Sequence, residues 1–115
     1  MKIADVHAHV FPEKLAVKAA GSIGQFYGAK MYCEASMERL VAEEEKAGVS
    51  RYVISSSAVV PKQVRSIVEF LAEARKGYPE CISFGSIYPG MDGYEEVLDE
   101  LQALGSRGLK IHPDF

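Results

Sequence analysis

The sequence is sparing with cysteine. Cys33 and Cys81 are the only two, and neither belongs to a CxxC pair. Such usage supplies neither a disulfide framework nor a cysteine metal knot. It fits two reduced, partly buried thiols in a cytoplasmic protein. No apolar run is long enough to cross a bilayer. The N-terminus enters a polar-interrupted strand at once and does not read as a secretion signal. Basic residues are not in excess, with 13 Lys and Arg against 16 Asp and Glu and a formal net charge of −3. That balance gives no electrostatic reason to expect nucleic acid or a membrane surface as a partner. Glycine-rich phosphate loops of either common type are missing. No GxSxG surrounds the serines, which removes the serine-hydrolase elbow.

What is present is 115 residues, 48% hydrophobic and 25% charged, enough for one domain with a real core. Residues 3–10 read as a strand. Alternation places Ile3, Asp5, His7 and His9 on one face, with Lys2, Ala4, Val6 and Val10 mostly on the other. Residues 13–27 favour a helix by composition, but Gly21 and Gly24 weaken it, so a short helix and a mobile loop are expected. Ser36 suits the N-cap of the next helix and Gly48 its C-terminal stop. Residues 51–57 and 82–88 read as strands. Pro61 opens a helix with Val64, Ile67, Val68 and Leu71 as its buried stripe. A further helix is expected over residues 94–104, closed by Gly105, and a last strand over 108–112.

Strand and helix therefore alternate, which is the grammar of right-handed βαβ units and a parallel sheet. The fold class is α/β. A closed eight-stranded barrel takes roughly 250 residues, so residues 1–115 are expected to form the first half of a TIM-like (β/α)8 barrel, as a single unit of a longer one. The open edges of such a half invite association, and a homo-oligomer is an expectation of this reading.

His7 and His9, two residues apart on a strand, project from one face at its C-terminal end, where parallel sheets build their sites. Neutral imidazole ligates zinc, manganese or iron, and such an ion lowers the pKa of a coordinated water. The bland alternative is a solvated or hydrogen-bonded pair. Asp5 points the same way by alternation and reads as a ligand or, preferably, as a structural or tautomer-fixing carboxylate. His112 and Lys110 share a face on the last strand. His112 reads as a substrate contact, an acid/base group or a further ligand, or as a histidine exposed by the chain end. Lys110 is drawn to a carboxylate in the site or holds its charge at the rim of a partly built core. Ser55, Ser56 and Ser57 end a strand and read as rim groups or as turn chemistry. Tyr88 and Phe11 read as pocket walls or ordinary strand aromatics. The run Glu43-Glu44-Glu45 reads as a solvated helix face.

Ile3-Ala4-Asp5-Val6-His7-Ala8-His9-Val10-Phe11-Pro12 resembles the first strand of the amidohydrolase superfamily, particularly its amidohydrolase-related, aminocarboxymuconate-semialdehyde decarboxylase-like branch. Gly108-Leu109-Lys110-Ile111-His112-Pro113-Asp114-Phe115 resembles that branch's fourth-strand segment, and Gly85-Ser86-Ile87-Tyr88-Pro89 fits the third. The resemblance implies a TIM-like barrel with one or two divalent ions, zinc first and then manganese or iron. His7 and His9 would be metal ligands, with Lys110 and His112 facing the site as catalytic candidates. The family's other ligands, histidines after the fifth and sixth strands and an aspartate after the eighth, have no counterpart in these four units. The implied activity is metal-dependent hydrolysis of a small carboxylated or cyclic substrate. Non-hydrolytic decarboxylation and an inactive half-barrel or association module are the alternatives. The deoxyribonuclease branch, which also begins with HxH, ranks lower because the chain has no basic patch.

Overall fold

The computed structural model describes residues 1–114, and Phe115, the last residue of the fourth-strand segment above, lies outside them. Four strands form one parallel sheet in chain order: β1 (Ile3–His9), β2 (Val49–Ser55), β3 (Cys81–Ser86) and β4 (Gly108–Lys110). Between them run α1 (Glu13–Tyr27), α2 (Met37–Ala47), α3 (Val64–Ala74) and α4 (Tyr94–Ala103). This is the expected first half of a (β/α)8 barrel, with neighbouring strands joined by helical crossovers.

Local chemistry sets the helix ends. The Ser36 hydroxyl accepts from the Arg39 N–H at the start of α2, and Gly48 ends it at φ +72°, a conformation that favours glycine. Pro61 opens a 3-10 turn, Pro61–Gln63, that leads into α3. The strands β2 and β3 begin and end slightly earlier than their patterns suggested, and β4 stops at Lys110, which leaves His112 just past the strand. The larger difference is α1. It runs unbroken through Gly21 and Gly24 instead of giving way to a loop. Gly24 is required by packing: a Cβ there would stand 2.7 Å from the Ala29 carbonyl and 2.9 Å from Cγ of Met31.

The core lies on the helix side of the sheet. Val10, Tyr52, Ile54, Leu71 and Cys81 form one buried cluster, with Met37, Leu40 and Val41 of α2 and Ile67 and Phe70 of α3 packed on it. A second cluster joins Ala58, Val64, Val68, Val97 and Leu101. A Cβ at Gly85 would run into the Leu101 side chain, so glycine lets α4 sit directly on β3. Leu71 is 2% exposed, and truncating such a side chain costs about 2–5 kcal/mol. Tyr88, half-buried, packs on the second cluster. No helix among the described residues is long and apolar enough to cross a membrane.

Candidate metal centre

β1 does not alternate strictly. Asp5 pairs with Tyr52 and Ala8 pairs with Ile54, so β1 carries one more residue than β2 across this stretch. The extra residue makes a bulge at Val6 and His7. The Asp5 carboxylate stabilises it by accepting the His7 N–H at 2.8 Å. The bulge turns Asp5 to the same side as Tyr52, the helix side, where its carboxyl meets that of Glu44 on α2. Asp5 therefore does not share the histidines' face, and the expectation that it does is corrected. Glu44 is corrected with it. The residue is buried, not part of a solvated face, and burial, then the hydrogen bond and charge of Asp5, hold its carboxyl above the ordinary range. Its neighbour Glu43 does face solvent, paired with Arg39 at 2.9 Å and Lys46 at 3.1 Å.

After the bulge the alternation is regular. Ala8 and Val10 are buried against the helices, which leaves His7 and His9 on the concave face. The register carries that face from His9 to Ser55, from Ser55 to Phe84, and from Phe84 to Gly108. Two residues on, Ser86 pairs with Lys110.

Three nitrogens meet on this face. Nε2 of His7 lies 3.0 Å from Nε2 of His9 and 3.0 Å from Nζ of Lys110. A neutral imidazole nitrogen has one lone pair. Nε2 of His7 can accept from Lys110 or from His9, but not from both. Burial, followed by the charges of Lys110, His7 and His112, holds the His9 imidazole down to about 4. His9 is therefore neutral at pH 7, the form that ligates metals.

His112 sits at the same rim, close enough for its charge to act on His9. Its Nε2 shares a hydrogen bond with the Tyr27 hydroxyl at 2.8 Å, and its Nδ1 lies 3.6 Å from the Asp114 carboxylate. Tyr27 carried no motif in the sequence; its contact spans 85 positions and no local pattern signals it. At the end of β2, Ser55 pairs with His9 and the Ser56 hydroxyl donates to the Val10 carbonyl. The buried Oγ of Ser57 has no hydrogen-bond partner among the described residues. The Phe11 N–H donates to the Ala35 carbonyl at 2.8 Å. A groove lined by Val17, Gly21, Met31 and Cys33 runs along α1, but none of the three histidines lines it.

For a metal bound at about 2.0–2.1 Å from each imidazole, two ligand nitrogens stand roughly 2.9–3.4 Å apart. The His7–His9 separation of 3.0 Å fits. The described residues contain no group of three or more His, Cys, Asp or Glu side chains placed to hold an ion.

No family model matches the chain, and no curated protein matches it. A solved structure does. It is a probable 2-pyrone-4,6-dicarboxylic acid hydrolase from Acinetobacter baumannii with citric acid bound, similar at a TM-score of 0.57 and 17% identity. The likeness is in the fold. It covers 95% of this chain and 37% of that one, so the chain spans well under half the length of that hydrolase.

Proposed function

We propose that the chain carries the first-half portion of a metal-dependent hydrolase site of the amidohydrolase-related type, acting on a small carboxylated or cyclic substrate. The observation that carries this reading is the 3.0 Å convergence of the His7 and His9 Nε2 atoms on the concave face at the C-terminal end of a parallel strand. His7 and His9 would hold the ion, zinc in the first instance and manganese or iron otherwise. When bound, such an ion polarises a carbonyl and supplies a nucleophile near neutral pH. Lys110 adds an ammonium beside His7 that is suited to a substrate carboxylate. His112 stands at the rim as the acid/base candidate. The fold neighbour's named compounds, a pyrone dicarboxylate and citrate, are carboxylated and support that substrate class.

One observation favours a second reading, an association module without activity: only two metal-ligating side chains converge among the described residues. An assay of the chain with added zinc, manganese or iron separates the readings. The panel contains cyclic esters bearing carboxylates, with carbon dioxide release from muconate-like acids as the decarboxylase arm. Metal-dependent ring opening that is lost in His7→Ala and His9→Ala supports the hydrolase. Carbon dioxide release supports the decarboxylase, and no turnover with any ion supports the association module.

A further inference from the structure

Two helices lie between β1 and β2, and only one of them is a barrel helix. α2 packs on β2 and lends Met37, Leu40 and Val41 to the core, whereas no residue of α1 belongs to either core cluster. The buried residues of α1 are small, Ala16, Ala20 and Gly24, and Gly24 faces the returning chain at Ala29 and Met31. Leu15, Val17 and Phe26 remain exposed. Residues 12–34 are therefore an excursion that stands outside the two core clusters, with its own returning chain closed on Gly24. Its neck is the backbone hydrogen bond from Phe11 to Ala35, at the mouth end of β1. Its far end is Tyr27, whose hydroxyl reaches across to Nε2 of His112 beyond β4, 2.8 Å away.

We propose that this excursion is a lid over the mouth, and that Tyr27 is a positioning residue which latches the lid and fixes the His112 ring. The two outer strands of the sheet are thereby bridged from above: the neck rises from β1 and the latch closes on the segment after β4. The geometry has a chemical consequence. A group that takes Nε2 of His112 as donor or acceptor must displace the Tyr27 hydroxyl, so engagement of His112 and release of the lid are one event. Tyr27 touches no reacting atom in this account; it acts through His112. The proposal rests on the mouth reading above only for the use made of His112. Its test needs neither metal nor substrate, so a failed metal site leaves it standing.

The test is a double-mutant cycle on the 15N-labelled chain with Tyr27→Phe, His112→Phe and both together. Losing one hydrogen bond speeds amide exchange at the end of α1 by about fivefold. The same acceleration is expected in either single variant, with no further gain in the double. The Nε2 resonance of His112 moves in Tyr27→Phe, while those of His7 and His9 hold. A residue that merely props the helix would not move that resonance. Tyr27→Phe deletes one oxygen from a side chain that is 55% exposed, and continued protection of the buried Cys81 thiol reports that the fold is intact. Unchanged exchange, an unmoved His112 signal, or additive effects in the double variant would overturn the latch.

Discussion

Nζ of Lys110 lies 3.0 Å from Nε2 of His7, although the two residues belong to opposite edge strands of the sheet. Three strand spacings across a flat sheet amount to about 14 Å. The contact exists because the sheet curls into a half-barrel with both side chains on its concave face. It also places a positive charge beside a metal-ligand candidate. Removing that charge with Lys110→Met is expected to tighten zinc binding by at least about fivefold, since a unit charge at 4 Å is worth about 1 kcal/mol even in bulk water. Competition against a chromogenic chelator measures the change. Weaker binding in the variant would mean that Lys110 assists the ion instead.

Glu44 is a buried carboxyl held against Asp5. Its folded-state pKa lies above the ordinary value, so the folded chain takes up this proton more readily than the unfolded one. Stability from this pair therefore grows as pH falls into the carboxylate range and is lost as pH rises above the folded pKa. Glu44→Gln keeps a hydrogen bond to Asp5 and removes the repulsion. The variant is expected to melt about 2–4 °C higher at pH 7 and to lose the gain on acidification. Thermal unfolding at pH 7 and pH 5 reads both effects, and a lower melting point at pH 7 would refute the shared-carboxyl account.

The two thiols should separate cleanly. Cys81 is 7% exposed, and its pKa is pushed up to about 11 by burial, with Glu80 adding to the shift. Cys33 is exposed. The native chain is expected to give one fast-reacting thiol with a chromogenic disulfide reagent at pH 8 and the second only on unfolding. Two fast thiols in the native state would place Cys81 outside the core.

β1 and β4 are the edge strands of the sheet. Ile3 and Val6 on β1 are exposed, as are Leu109 on β4 and Ile111 just beyond it, on the far side of the sheet. Exposed apolar strand edges pair with other chains. Sedimentation velocity on the chain is expected to show self-association that rises with concentration. Val6→Lys and Ile111→Lys should shift it toward monomer. A single monomeric species at every concentration would rule the association out.

Much of this was legible because it follows from periodicity. The β-branched and aromatic runs, Ser36, Gly48 and the proline before α3 mark the alternating elements, and the spacing of His7 and His9 marks the face they share. The position of Asp5 was not legible. Its own carboxylate captures the His7 N–H and makes the bulge, and a period-two reading has no place for a side chain competing with the strand ladder. Glu44 follows from that bulge, because Asp5 meets it only after turning to the helix side. The need for glycine at position 24 comes from the returning chain at Ala29 and Met31, and the Tyr27–His112 bond depends on the whole curl. Both are tertiary facts that helix propensity does not contain.

His7 and His9 are proposed to hold a divalent ion together. Isothermal titration of the purified chain with zinc tests it most directly. One zinc per chain is expected, with binding lost in His7→Ala and in His9→Ala while both variants keep Cys81 protected. Zinc binding that survives both substitutions, or a folded wild-type chain that takes up none, would contradict it.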